Sequence, residues 1–127
     1  MPREQRKRIR SVVQSSLPSR SDLDFAIGVD FTKISRFEKN HILMSTRILT
    51  DNQKKIYDKL GDENQKIRYI AKNWAAKEAI FKCDNNYYQF NEIDVNFEIK
   101  PVKYRNFSIS ITHDDGYLVA VVHKQGV

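Results

Sequence analysis

The sequence contains few of the residues that cross-links and common cofactor sites need. Cys83 is the only cysteine among 127 residues, so no disulfide can form within the chain. Absence of disulfides is typical of a reducing compartment, and we expect a cytoplasmic location. The patterns CxxC, HExxH, GxxxxGK[ST] and GxGxxG are all missing. Zinc, Walker-type nucleotide and dinucleotide sites therefore have no support.

Long apolar runs are also missing from the sequence. No stretch approaches the roughly 20 apolar residues that a membrane-spanning helix needs. No apolar run of about 7–15 residues follows the N-terminal basic residues, as it would in a signal peptide. We therefore expect no membrane partner. A length of 127 residues with 40% hydrophobic content predicts one domain with a single core.

Positive charge is concentrated at the N-terminus. The net charge is +6, and residues 1–20 hold six of the 22 basic residues but only one of the 16 acidic ones. We predict that residues 1–21 form a basic flexible arm and residues 22–127 the domain. The arm is either a solvated extension or a contact for nucleic acid or an acidic protein. The domain itself is nearly neutral, so we do not expect it to bind nucleic acid.

The segment DFAIGVDF, residues 24–31, alternates as a β-strand does. Its large apolar residues share one face, whereas Ala26, Gly28 and Asp30 share the other. A face of small residues lets a helix or a ligand approach the backbone closely. Asp30 is either a strand-end cap or turn residue, or an acid that faces the helix or ligand packed on the small face. The pattern of this stretch alone leaves both readings open.

Three helices are predicted after this strand. Residues 34–49 form an amphipathic helix with Ile42 towards the core and His41 exposed. A second helix begins at Thr50, where Gln53 completes a capping box, and ends near Gly61. The third helix spans residues 63–82 and is rich in alanine, which favours helix and permits close packing.

The C-terminal part of the chain predicts strands. Residues 93–99, IDVNFEI, alternate as a strand that ends before Pro101. The runs FSISIT and GYLVAVV flank HDDG and predict a hairpin. With one strand, three helices and three further strands, the chain is predicted to be an α+β domain with a mostly antiparallel sheet packed with the helices.

The third predicted helix carries an acid on its apolar side. At helical spacing one apolar stripe forms, made of Ile67, Ile70, Ala71, Trp74 and Phe81. Glu78 falls near the middle of that stripe, where a carboxylate is costly unless it is paired or holds a metal. Packing this helix on the small face of the first strand would bring Glu78 close to Asp30. Two carboxylates alone would repel each other, so we predict a divalent cation between them. Mg²⁺ is the natural choice, because it is held by one or two carboxylates plus phosphates.

Two further residues bear on this hypothesis. Lys82 follows Glu78 by one helical turn, and a lysine beside two acids and a metal indicates an anionic phosphate substrate. The alternative is a local Glu78–Lys82 surface pair worth a few tenths of a kcal/mol. His113, at the end of SISITH, is either a turn residue or a participant in the chemistry.

Taken together, these segments resemble the holo-[acyl-carrier-protein] synthases, the short 4′-phosphopantetheinyl transferases. The resemblance rests on IGVDFTKISRF (27–37), RILT (47–50), WAAKEAIFK (74–82) and ISITHDDGYLVAVV (109–122). The blocks occur in the order and spacing of that family and cover nearly everything after residue 24.

The resemblance implies an activity and a set of roles. It implies Mg²⁺-dependent transfer of 4′-phosphopantetheine from coenzyme A to a serine of apo acyl carrier protein, with release of adenosine 3′,5′-bisphosphate, in fatty acid biosynthesis. Asp30 and Glu78 would hold the metal, and Lys82 would act as the cation on the phosphate side. The nucleophile belongs to the carrier protein, and Glu78 or a metal-associated water would take its proton.

The resemblance also implies partners for the remaining residues. His113 and Lys72 would contact coenzyme A, and Arg36 would contact the acidic carrier protein. The family assembles as a homotrimer with active sites between subunits, so the same assembly is expected here.

Three departures from the family pattern concern the neighbourhood of these residues. Lys33 stands where the family usually has glutamate. Asn73 replaces the arginine before AAKEA, and we expect Lys72 to reach the same phosphate. CDNNYYQF (83–90) replaces a glycine-rich loop, which puts some coenzyme A contacts in doubt. The alternatives to a transferase are a non-enzymatic basic module that binds an acidic protein or nucleic acid, and a related domain that has lost coenzyme A binding.

Overall fold

The computed structural model describes residues 25–126, so the predicted arm lies outside the described residues. Within residues 25–126 the fold has three α-helices and one four-stranded antiparallel sheet, which confirms the predicted α+β class. The elements are β1 (Phe25–Lys33), α1 (His41–Ile48), α2 (Asp51–Lys59), α3 (Glu63–Cys83), β2 (Lys103–Tyr104), β3 (Phe107–Asp114) and β4 (Tyr117–Gln125). Short 3₁₀ turns occur at Ile34–Phe37 and Phe90–Glu92. No helix in this part of the chain has the length and apolar character to cross a membrane.

The sheet order is β1–β4–β3–β2, with every neighbouring pair antiparallel. Asp30 of β1 and Ile111 of β3 both pair with Ala120 of β4. Directly opposed residues point to the same side of a sheet. Asp30 therefore lies on the face that carries the buried Ala120, which is the face covered by α3.

The small face of β1 receives helix α3, as the alternation predicted. A Cβ atom on Gly28 would lie 1.9 Å from the backbone oxygen of Ala79. Ala75, Ala76 and Ala79 of α3 are fully buried. The missing side chain of Gly28 and the short side chains of the alanines thus allow the helix backbone to rest on the strand.

The predicted hairpin of β3 and β4 is confirmed. Its turn consists of Asp115 (φ 50°) and Gly116 (φ 78°). Positive φ at both central residues is the signature of a type I′ turn, whose twist matches that of the flanking strands. The strands run closer to the turn than predicted, because Asp114 still pairs with Tyr117.

The single helix predicted over residues 34–49 is wrong in part. The chain forms a 3₁₀ turn, then a turn at residues 38–40, and α1 begins only at His41. This interruption shifts the helical phase, so Ile42 is 69% exposed and His41 is buried, the reverse of the prediction. Nδ1 of His41 lies 2.6 Å from the Tyr57 hydroxyl and Nε2 lies 3.3 Å from a Glu63 carboxylate oxygen, which satisfies the buried ring.

The strand predicted over residues 93–99 does not form. Ile93, Val95 and Phe97 are buried as the alternation indicated, but the segment has no strand partner in the described residues. The side chain of Gln53 donates to the Val95 carbonyl at 2.8 Å instead. Gln53 and Thr50 form the predicted capping box of α2, so helix-capping residues hold this segment in place of a neighbouring strand.

Candidate functional site

The centre of the candidate site is the contact between Asp30 and Lys82. The Lys82 ammonium, in the last turn of α3, donates to Oδ1 of Asp30 at 3.1 Å and to the Val29 carbonyl at 2.9 Å. The Asp30 side chain is only 12% exposed. Its second oxygen, Oδ2, is buried and has no hydrogen-bond partner. Buried carboxylate oxygens are normally satisfied, so this oxygen is able to accept a further hydrogen bond or to contact a cation.

Glu78 lies one turn before Lys82 on α3, so the two residues project from the same side of the helix. The helix thus presents Glu78 next to the position from which Lys82 reaches Asp30. Glu78 is half-buried, as are Trp74 and Phe81. It therefore lies at the edge of the buried face, not at its centre as predicted. The centre of the buried face is formed by the alanines of α3 that contact β1.

Lys77 is the charged residue that α3 buries completely, and the sequence reading missed it. Its ammonium donates to the Ile48 carbonyl at 2.5 Å and to Oε1 of Gln53 at 2.7 Å. Burial lowers the pKa of Lys77 to about 7. The signal was present in the sequence, because Lys77 follows Ile70 by seven residues and precedes Ile80 by three. That spacing places it on the core face.

His113 lies apart from the Asp30–Lys82 contact. It pairs with Leu118 on the sheet face that also carries Asp30. Strand spacing and residue rise put the two Cα atoms roughly 12 Å apart. His113 lines a cleft of about 360 Å³ near the hairpin turn, together with Lys33 and Arg68. Arg68 had no signal in the sequence that separated it from other exposed basic residues.

Lys72 packs against the irregular segment that follows α3. Its ammonium lies 5.5 Å from the centre of the Phe97 ring. Burial, and then the nearby charge of Lys100, lower the pKa of Lys72. Asn73 is fully buried and donates to the Tyr69 carbonyl at 3.0 Å, so it cannot take the place of an exposed arginine. Lys72 and Lys100 therefore bring two positive charges close together beside α3.

Arg36 is exposed on the 3₁₀ turn after β1. Its guanidinium lies 5.0 Å from the Trp74 ring centre and 5.5 Å from that of Phe37. Stacking on two rings holds the planar group in place while leaving its N–H donors available to solvent. This arrangement suits contact with an acidic surface.

The segment that replaces the glycine-rich loop is packed against the sheet. Tyr87 contacts Phe107 edge-on, with ring centres 5.1 Å apart. Arg105 lies over the rings of Tyr87 and Tyr104, at 5.7 and 5.4 Å. Aromatic packing of Tyr87 thus anchors the middle of the segment in this chain.

Comparison with known proteins agrees with this fold and arrangement. The family model of the 4′-phosphopantetheinyl transferase superfamily matches residues 26–125. The holo-[acyl-carrier-protein] synthase of Mycoplasma mobile is 37% identical, over 78% of this chain and 88% of that protein. The synthase of Mycoplasmopsis pulmonis is 35% identical, over 80% of this chain and 91% of its own length.

A solved structure supports the same relationship. The crystal structure of a holo-(acyl-carrier-protein) synthase from Bacillus anthracis, in complex with CoA (3′,5′-ADP), superposes with a TM-score of 0.69. It is 27% identical and covers 80% of this chain and 96% of that one. The chain therefore belongs to the 4′-phosphopantetheinyl transferase superfamily. Within it, the chain is a member of the holo-[acyl-carrier-protein] synthase family of enzymes.

Proposed function

We propose that the protein transfers 4′-phosphopantetheine from coenzyme A to a serine of apo acyl carrier protein and releases adenosine 3′,5′-bisphosphate. The observation that carries the proposal is the state of Asp30. One of its oxygens contacts Lys82, and the other is buried without a hydrogen-bond partner. Membership of the synthase family supports the reaction class. The complex formed by the Bacillus anthracis relative supports coenzyme A as the donor.

The residues present fit a divalent cation. No three His, Cys, Asp or Glu side chains converge in residues 25–126, so the protein would contribute the two carboxylates of Asp30 and Glu78. Mg²⁺ suits such a sparse set, because it keeps several waters and takes substrate phosphate oxygens as ligands. When bound, it would offset negative charge on the pyrophosphate of coenzyme A. The orphaned oxygen of Asp30 is the ligand atom that this structure makes available.

Two side chains then act on the transfer itself. The serine oxygen of the carrier protein forms a bond to the β-phosphorus of coenzyme A, and the bond from that phosphorus to the bridging oxygen breaks. The carboxylate of Glu78 would accept the proton of the serine hydroxyl. Lys82, which is partly exposed at the end of a flexible side chain, would neutralise the charge that grows on the leaving phosphate.

The binding of coenzyme A would use the cations away from this centre. Lys72 and Lys100 place two positive charges close together beside Phe97, which suits a phosphate. His113 lines the cleft near the N-terminal end of α3, whereas Lys82 lies at its C-terminal end. We propose that His113 contacts coenzyme A at a boundary between neighbouring subunits of a homotrimer.

An exposed apolar sheet face supports the homotrimer that this arrangement needs. Phe31 is 63% exposed, and its ring stacks on Tyr117 with ring centres 5.0 Å apart. Ile27, Val29 and Val121 are exposed on the same face. A contiguous exposed apolar patch marks a protein interface. We assign this outer face of β1 and β4 to contact between subunits.

The carrier protein would dock on the other side of the molecule. Arg36 is exposed, and Ile42 and Leu43 of α1 are exposed close behind it in the chain. A basic group beside apolar residues suits an acidic, amphipathic partner.

We further propose that the enzyme works in the cytoplasm and supplies holo carrier protein for fatty acid biosynthesis. The single cysteine, which cannot form a disulfide within the chain, supports that location.

The experiment is a loading assay with matched variants. Asp30→Asn and Glu78→Gln keep side-chain size but remove the proposed metal ligands. Each should lower Mg²⁺-dependent loading by about 100-fold or more, because several kcal/mol of charge stabilisation is lost. Asp58→Asn, at an exposed position on α2, is the control and should load normally. Normal loading by either site variant would remove that residue from the site.

A further inference from the structure

The buried lysine of α3 has a role that neither the core nor the proposed chemistry accounts for. Lys77 has no solvent exposure, and its two hydrogen bonds lead to the C-terminal turn of α1, through the Ile48 carbonyl, and to α2, through Gln53. Gln53 in turn holds the Val95 carbonyl and the Thr50 amide. Lys77 is therefore where α3 joins a buried polar network that spans three other segments.

Helix α3 packs on β1 largely through small side chains. That interface includes Gly28 and the alanines of α3, and beside them the Cys83 thiol donates to the Ala26 carbonyl at 3.6 Å. Small apolar residues permit close approach but make no directional bonds. Polar contacts add a directional constraint to this packing, because they lose their energy when the geometry changes.

Lys77 and Lys82 supply such contacts on different sides of the helix. Residues five apart in an α-helix project about 140° apart around its axis. Lys77 points towards α1 and α2, whereas Lys82 points towards β1 and meets Asp30. Glu78 projects between them, about 40° from Lys82 and 100° from Lys77. Its direction is thus set by two anchors, one on each side.

We propose that Lys77 is a positioning residue, which fixes the rotation of α3 so that Glu78 and Lys82 face Asp30. An amine is an expensive way to fill a core, since an apolar side chain of similar volume is often neutral or stabilising there. Its hydrogen bonds give a defined direction that an apolar residue would not give. The link to catalysis rests on the proposed function, but the effect on the Asp30–Lys82 contact does not.

The test changes Lys77 and measures the Asp30–Lys82 contact, which lies on the other side of the helix. Lys77→Met keeps an unbranched side chain but removes both hydrogen bonds. The readout is the acylation rate of the Lys82 amine by mass spectrometry, relative to exposed Lys103 of β2 in the same molecule. We expect the relative rate to rise at least about threefold as Lys82 leaves Asp30, measured where all variants are fully folded. Tyr57→Phe, which removes the hydroxyl beside His41, is the control for general loosening and should leave the ratio unchanged.

A second variant and a kinetic readout separate positioning from stability. Gln53→Asn withdraws one acceptor from Lys77 without altering α3, and should raise Lys82 reactivity in the same direction even if Lys77→Met folds poorly. Lys77→Met should also lower kcat for loading about tenfold while KM for coenzyme A stays within twofold.

Unchanged Lys82 reactivity in both variants would overturn the proposal, as would an equal rise in Tyr57→Phe. If Lys82 responds as expected but wild-type protein loads no carrier, the positioning role stands and the proposed function fails. If the wild type loads carrier but Lys82 does not respond, the reverse holds.

Discussion

Lys82 contacts one oxygen of Asp30 at 3.1 Å, while the other oxygen of the same carboxylate is buried without a partner. The ammonium therefore neutralises the acid without saturating it. A buried carboxylate in this state favours a second cation, and Glu78 lies one helical turn away from Lys82.

Replacing Lys82 separates metal binding from phosphate binding. Lys82→Met should lower the loading rate by about 10- to 100-fold, since the leaving phosphate loses its cation. Binding of Mn²⁺ without coenzyme A should be retained or tightened, because the competing ammonium is removed from Asp30. Calorimetry with Mn²⁺ and steady-state kinetics with coenzyme A make the comparison. Loss of Mn²⁺ binding in this variant would show that Lys82 supports the metal site instead of competing with it.

Gly28 should be intolerant of any side chain. Its Cβ would lie 1.9 Å from the Ala79 oxygen, so Gly28→Ala must push α3 away from β1 at a cost of about 1–3 kcal/mol in the free energy of unfolding. Gly61→Ala is the matched control, since its nearest neighbour is a Gln65 side-chain oxygen at an ordinary 3.7 Å. Urea denaturation compares the two. Equal stability of both variants would rule out the close helix–strand packing.

Charge on the outer sheet face should break the assembly. Phe31→Asp places a carboxylate where the stacked pair with Tyr117 forms the proposed subunit interface. We expect a monomer in sedimentation velocity and a loss of loading of about tenfold or more, because burying an unpaired charge is unfavourable. Asn96→Asp, at an exposed position away from this face, adds the same charge and should leave the trimer intact. A Phe31→Asp trimer with full activity would argue against this interface.

Deletion of residues 1–21 distinguishes the enzyme from a basic binding module. No catalytic or binding residue proposed for the transferase precedes Asp30, so the shortened chain should load carrier protein at the wild-type rate. A module that relied on its basic arm would instead lose salt-sensitive binding to its acidic partner. Loading assays at two salt concentrations, on both lengths of the chain, provide the measurement.

The sequence predicts the features that depend on local pattern. Alternation in β1 predicts that Asp30 lies on the small face, and helical spacing predicts that Lys82 lies beside Glu78. The residue types at Thr50 and Gln53 predict the capping box of α2. Each of these follows from a period or a short motif.

The features that the sequence did not predict depend mainly on contacts with residues distant in the chain. Alternation over residues 93–99 reported burial correctly, but it could not show that Gln53 would satisfy the Val95 carbonyl in place of a strand. The interruption before His41 reversed which side chains face the core. Lys77 fell on the buried face by spacing, yet a lysine there makes sense only when its acceptors, Ile48 and Gln53, are known.

The intact mass of the carrier protein shows whether the proposed transfer takes place. Wild-type protein is incubated with coenzyme A, Mg²⁺ and an apo acyl carrier protein, with Asp30→Asn and a metal-chelated sample alongside. We expect the carrier to gain the mass of one phosphopantetheine with wild-type protein and Mg²⁺, and no mass in the other two samples. A carrier of unchanged mass with the wild-type protein, or equal loading by Asp30→Asn, would contradict this expectation.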